Sequence, residues 1–284
     1  DSPSKDEYVE GVVCNESDIK ENEMKACQLG DAGKVLVVKH NGKISAVGAK
    51  CTHYGAPLVN GALGDGKVRC PWHGACFDAV TGDIEDYPGL DSLPCFQVEI
   101  KKDGGVHVRA KRDLVKSSRV TKPMVKRNPS DPTTIAIIGG GPAGLVCAEV
   151  LRQKECGFTG RIVLICMEPN LPYDRCKVGK ALELKIGQII LRKESFYKEH
   201  DIEFMKSTEV TGIDTSSKIL KLGTGSDLEY TKVFIATGGL ARRPNVPGSN
   251  LKNVFVLRTV EDSNAIYDLI NKEANIVVLG ASYR

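Results

Sequence analysis

The hydrophobic pattern changes its period near the middle of the chain. Over residues 8–110 apolar positions come in short runs separated by glycine-rich turns, which predicts strands. Residues 35–38 and 44–47 flank Asn41-Gly42, a strong hairpin signal because both turn positions need positive φ. Residues 96–100 alternate toward a second turn at Asp103-Gly104-Gly105, and 106–108 return. From Thr133 the pattern becomes β-α-β. Residues 134–138 predict a buried strand, 143–153 have helical spacing, and 162–166 predict a second buried strand. Further apolar strands are expected at 232–235 and 276–279. The fold class is therefore multidomain: an all-β domain over 1–110, then a Rossmann-like α/β domain from residue 133.

Between them, residues 111–132 show no sustained period. From residue 111 to 127 there are seven Lys/Arg against one Asp. This stretch reads as a basic linker, with a docking surface for an acidic partner or a membrane as the alternative. A chain of 284 residues has room for two domains. Its net charge of +3 is too small to argue for nucleic acid. No run of about 18 apolar residues predicts a transmembrane helix. No signal peptide opens the chain, which starts at Asp1, so an upstream segment is expected. Its 10 cysteines are irregularly spaced and do not form a disulfide framework, which fits a reducing, intracellular compartment.

Two cysteines sit in a ligand pattern. Cys51-Thr-His53-Tyr-Gly-Ala-Pro and Cys70-Pro-Trp-His73-Gly-Ala-Cys-Phe-Asp each offer one thiolate and one imidazole. Two facing loops of this kind can give both sulfurs to one iron and both imidazoles to the other, the ligation of a Rieske [2Fe–2S] centre. Zinc is the rival metal, but finger sites pair like ligands two to four residues apart, with a helix carrying the histidines. Here each loop mixes sulfur and nitrogen. Cys76 beside the second loop is a further candidate thiol.

The second motif is Gly139-Gly-Gly141-Pro-Ala-Gly144, a G-x-G-x-x-G string between an apolar strand and a helix. Gly139 would permit the tight turn, Gly141 the approach of a pyrophosphate, and Gly144 close helix–strand packing. The helix N-terminus would favour the phosphate charge. Glu168, at the end of the second strand, is placed to accept hydrogen bonds from a ribose. These residues do not separate NAD from FAD.

Residues 51–88 resemble the Rieske family, in its ferredoxin and oxygenase-component branch. High-potential members carry a bridged cysteine in each loop, where this chain has Ala56 and Trp72. They also place Ser and Tyr hydroxyls near the cluster, where it has Ala75 and Phe77. The resemblance therefore implies a low-potential cluster. From Thr133 the chain resembles the two-dinucleotide flavoproteins, in the branch of ferredoxin reductases and apoptosis-inducing factor. That implies FAD at the first fingerprint. Pro172 to Arg175, with Lys180, matches the segment along the flavin, so Arg175 and Lys180 are implied FAD contacts. Ala236-Thr237-Gly238, followed by Arg243-Pro244, matches a second signature of the superfamily. Cys176 and Val178-Gly179 depart from the branch's usual residues. There is no Cys-x₄-Cys pair for dithiol relay chemistry.

The Rieske–flavoprotein order resembles the apoptosis-inducing-factor-like family. It implies a flow from NAD(P)H through FAD to the cluster, an unidentified acceptor protein, and a mitochondrial location. On this reading residues 133–275 form an incomplete FAD domain and 276–284 hold the first strand of a truncated NAD(P)H module. Two alternatives are a Rieske ferredoxin-like carrier and a cell-death protein with redox-tuned interactions. No residue is a convincing nucleophile or general acid, as expected where cofactors carry the chemistry.

Overall fold

A computed structural model describes residues 7–280, and the chain divides into two compact units between Pro123 and Met124. In the first unit, β1 (Tyr8–Asn15), β2 (Glu23–Leu29), β3 (Gly33–His40), β4 (Lys43–Gly48), β9 (Cys95–Ile100) and β10 (Gly105–Lys111) form one antiparallel sheet. Its order is β1-β10-β9-β4-β3-β2. The two edge strands touch, which curls the sheet toward closure and shields edges that would otherwise be open. A second sheet, in the order β5-β6-β7-β8, consists of β5 (Ala62–Gly64), β6 (Lys67–Arg69), β7 (Cys76–Asp78) and β8 (Ile84–Asp86).

The continuous apolar run of β3 has a simple cause. Successive side chains of a strand point to opposite faces. Val35 and Val37 enter one core with Val106 and Val108, while Leu36 and Val38 enter another with Val68 and Phe77. The strand is buried on both sides, so no polar positions alternate along it. The predicted hairpin is present: Asn41 and Gly42 have φ of 51° and 69° between β3 and β4. Cys51 and Cys70 belong to the core shared with the small sheet.

In the second unit, β11 (Thr134–Ile138), β12 (Arg161–Ile165), β13 (Ile202–Met205) and β17 (Lys232–Ile235) form a parallel sheet in the order β13-β12-β11-β17. The helix α2 (Pro142–Arg152) joins β11 to β12. An antiparallel meander of β14 (Val210–Asp214), β15 (Ile219–Leu222) and β16 (Asp227–Glu229) covers one face, with Leu220, Leu222 and Leu228 packed on Ala136 and Val163. Three short α-helices, α3 (Arg175–Val178), α4 (Glu194–Glu199) and α5 (Val260–Tyr267), also belong to this unit.

Two regions differ from expectation. Residues 111–132 are bound into the units instead of running free. A short helix, α1 (Arg112–Ser117), follows β10 and buries Val115. Val120 then pairs with Ser92 in the first unit, and Val125 donates to the Arg152 carbonyl in the second. The basic residues find distant acids: Lys111 meets Glu7, Arg112 meets Asp31, and Arg127 meets Glu203. Such isolated bridges leave no period in the sequence. Residues 276–279, expected as a strand, form none. Ile276 to Leu279 are 62–85% exposed, with no strand paired to them among the described residues. An apolar run becomes a strand only where a neighbour satisfies its backbone. The last four residues of the expected module, 281–284, lie outside the described residues.

Candidate functional site

The two donor loops share one hydrogen-bonding plan. The Cys51 N–H donates to the Ala56 carbonyl, 2.9 Å, and the Gly55 N–H to the Cys51 carbonyl, 2.9 Å. In the second loop the Cys70 N–H donates to Ala75, 2.8 Å, and the Gly74 N–H to Cys70, 3.2 Å. Gly55 and Gly74 both take the left-handed conformation, at φ 79° and 78°, which favours glycine. Each loop is thus a closed Cys-to-Ala turn, with its histidine third in one and fourth in the other.

Both cysteines are buried, His53 is half-buried and His73 is exposed. The two imidazoles meet edge to face with centroids 4.9 Å apart, and the Tyr54 ring stacks on His53 at 3.7 Å. Burial pushes the Cys51 thiol up to about 11, and neighbouring Cys70 adds to the rise. Ligation there must displace a proton. A mononuclear zinc site gathers four ligands around one ion, whereas a two-iron cluster asks only two protein ligands of each iron. The donor set, a buried thiol pair and an outer imidazole pair, fits the cluster.

The residues that support the two loops escaped sequence reasoning. The Arg69 Nη1 donates to the Gly74 carbonyl, 2.9 Å, and Nη2 to Asp86, 2.8 Å, bracing the second loop. The Thr52 hydroxyl donates to the Asp91 carbonyl, 2.7 Å, and Arg119 Nη2 donates to the Thr52 carbonyl, 2.8 Å. Arg69 lies one residue before Cys70 and was findable. Asp91 and Arg119 are 39 and 67 residues from Thr52, beyond any local signal.

In the second unit the glycine roles separate cleanly. Gly139 has φ 121°, and a Cβ there would collide with the Ala236 carbonyl. A Cβ on Gly144 would collide with the Gly139 carbonyl. These two are required by the fold itself. A Cβ on Gly141 would meet nothing within 4 Å, although this residue caps α2 just before Pro142. No protein atom explains that glycine. The open space before a helix N-terminus fits a pyrophosphate.

Glu168 follows β12 and is engaged. Its carboxylate accepts from the Tyr173 hydroxyl, 2.7 Å, and from Arg175 Nη2, 2.7 Å. Arg175 Nη1 donates to Tyr173, 2.7 Å, and to the Arg258 carbonyl, 3.1 Å. Burial, then the bond to Glu168, pushes the Tyr173 hydroxyl well above its usual range. The structure therefore joins Glu168 and Arg175, expected as separate contacts, into one cluster with Tyr173 that the sequence reading missed. Carboxylate oxygens carry two lone pairs each, so a ribose can still be accepted. Gly238, at φ 68°, lies against Arg258, and Thr237 beside it is exposed. Lys180 is exposed just beyond α3, and its backbone N–H donates to the Lys177 carbonyl, 3.0 Å.

No helix among the described residues is long and apolar enough to cross a membrane. The Rieske [2Fe-2S] domain family matches residues 10–97, and the Pyridine nucleotide-disulphide oxidoreductase family matches residues 133–284. The chain is 44% identical to Apoptosis-inducing factor 3 of Homo sapiens over 99% of its length, and spans 46% of that protein. It is 38% identical to the ferredoxin–NAD(+) reductase subunit of a Pseudomonas putida benzene 1,2-dioxygenase system, over 51% of this chain and 36% of that one. Among solved structures, NADH:rubredoxin oxidoreductase from Clostridium acetobutylicum has 30% identity over 48% of this chain and 35% of that chain, with a TM-score of 0.44. The first of these family matches implies a [2Fe–2S] cluster, and the second implies FAD and NAD(P)H. The chain belongs to the pyridine nucleotide-disulphide oxidoreductase family and carries a Rieske domain ahead of that region.

Proposed function

We propose that this chain is part of an oxidoreductase that passes electrons from NAD(P)H through FAD to a low-potential [2Fe–2S] cluster. The observation that carries the reading is the pair of matched Cys-to-Ala turns, which set two buried thiols behind two outer imidazoles. On this reading Cys51 and Cys70 hold one iron, and His53 and His73 the other. The turn from Gly139 through Gly141 to Gly144 holds the FAD pyrophosphate. Glu168 receives its ribose, while Arg175, Lys180, Thr237 and Gly238 contact the rest of the cofactor. Flavin, when bound, supplies the change from two-electron hydride chemistry to single-electron transfer.

The chain's own residues bind, orient and shield. The core around Phe77 and Leu58 excludes water from behind the thiols, while exposed His73 lies on the side from which an acceptor protein can approach. Arg175 and Tyr173 fix the Glu168 carboxylate in one orientation. The mitochondrial location rests on family resemblance, and fractionation of cells expressing the tagged protein tests it. Similarity to a protein named Apoptosis-inducing factor 3 favours a second reading, a role in cell death. Cell-death activity that survives substitution of Cys51 or His73 would separate that role from electron transfer.

The chain spans about half the length of the curated relatives it matches. The decisive experiment is anaerobic addition of NADH or NADPH to the complete protein loaded with iron, sulfide and FAD. Flavin bleaching followed by cluster reduction, read as a paramagnetic signal, is the expected result. A colourless protein carrying stoichiometric zinc would overturn the cluster reading. Failure of the complete protein to bind FAD or either nucleotide would overturn the reductase reading.

A further inference from the structure

The segment after α1 is built against the first donor loop. It lies beyond residue 97, where the Rieske family match ends. The Ser118 hydroxyl accepts from the Lys50 N–H, 3.0 Å, and donates to the Lys50 carbonyl, 3.2 Å. Val120 and Ser92 exchange backbone hydrogen bonds of 2.9 and 3.0 Å. Arg119 Nη2 donates to the Thr52 carbonyl, which belongs to the peptide joining Thr52 to His53. Arg119 Nη1 lies 3.7 Å from Asp91 Oδ2, and the Thr121 hydroxyl donates to Asp91 Oδ1, 3.3 Å. The ring closes where the Asp91 carbonyl accepts from the Thr52 hydroxyl, 2.7 Å.

We propose that Arg119 and Asp91 form an opposed charge pair that sets the reduction potential of the cluster through the first donor loop. The proposal rests on the ligand reading given above. Reduction adds one electron to the cluster, so a nearby cation favours the reduced state and a nearby anion disfavours it. The two charges oppose each other at the same loop. The Asp91 side chain is 5% exposed and poorly screened, whereas that of Arg119 is 52% exposed. Arg119 is thus a positioning residue for the Cys51 loop as well as a counter-charge, supplied by a stretch that the sequence presents only as basic linker.

The signs give the test. With the 284-residue chain reconstituted with iron and sulfide, the midpoint is read by spectroelectrochemical titration after iron and acid-labile sulfide are counted. Arg119→Gln should lower the midpoint and Asp91→Asn should raise it. The double variant should return toward wild type, and Arg119→Lys should stay close to it. The Arg119→Gln shift should shrink in high salt. A purely structural strap would move both single variants in one direction or leave the midpoint alone. Either result, with cluster content intact, overturns the proposal. If Arg119→Gln cannot hold the cluster, Asp91→Asn decides: an upward shift supports the charge pair, and a null or downward shift overturns it. A wild-type chain that assembles no cluster overturns the ligand reading instead.

Discussion

The first unit takes its four donors from residues 51 to 73, on two turns that close on themselves through backbone hydrogen bonds. The second unit assembles its candidate site from residues 139 to 258, brought together only when parallel strands align Ile138 with Ile165 and Ile235. The donor turns depend on left-handed glycines and buried alanines within six residues of each cysteine. The candidate site of the second unit depends on long-range contacts, such as the Gly139 backbone against Ala236 and Arg175 against Arg258. A locally closed site concentrates its vulnerability in the ligands themselves. A site spread over distant segments exposes its own vulnerability at the points where backbones approach.

The largest effect should come from the first site. Cys70→Ser removes one of the two buried thiols behind the imidazole pair, so iron and sulfide content and visible absorbance should fall to baseline. FAD binding by the complete protein should change less than about twofold, since the second unit has its own core. Coupled loss of both cofactors would break the comparison. Next come the glycines. Gly144→Ala should destabilise the second unit by about 3 kcal/mol in urea unfolding, because backbone must shift to admit the methyl group. Gly141→Ala should change stability by less than about 0.5 kcal/mol, having open space around it. It should nevertheless weaken FAD binding by about tenfold, or about 1.4 kcal/mol, in a fluorescence titration. Unchanged affinity there would refute the placement of the pyrophosphate.

A subtler effect concerns cluster electronics. Ala75 and Phe77 are fully buried beside the second loop and offer no hydroxyl. Hydrogen bonds toward cluster sulfur raise its potential, so the wild-type midpoint should lie toward the low end of roughly −150 to +300 mV. Ala75→Ser and Phe77→Tyr should each shift it upward in a redox titration. A wild-type value well above zero at neutral pH would contradict the low-potential assignment.

The smallest effect is electrostatic. Hydrogen bonding to Arg161 holds the Glu203 carboxyl below its usual pKa despite partial burial. Its stabilisation is complete above the unfolded value of about 4.3 and is lost as pH falls through the lowered folded value. Glu203 is 39% exposed, so after solvent screening Glu203→Gln should cost the second unit about 1 kcal/mol or less at pH 7. That difference should vanish in strong acid, and urea unfolding at the two pH values measures it.

The sequence by itself determined what is local. Asn41-Gly42 encodes a hairpin because few other dipeptides accept two positive φ values, and β3 and β4 form around it. The mixed Cys/His loops and the glycine fingerprint are legible because their chemistry fits into short windows. Tertiary structure decided whatever joins residues far apart. Hydrophobic periodicity cannot say that β3 serves two cores, since Val35 and Leu36 look alike until the curled sheet closes over one face and the small sheet covers the other. Charge counting cannot show that Arg119 reaches Thr52 or that Arg175 meets Glu168, because such contacts have no period to read. Residues 276–279 mark the same boundary from the other side. Their pattern is that of a strand, but a strand exists only where another strand receives its hydrogen bonds, and none does among the described residues.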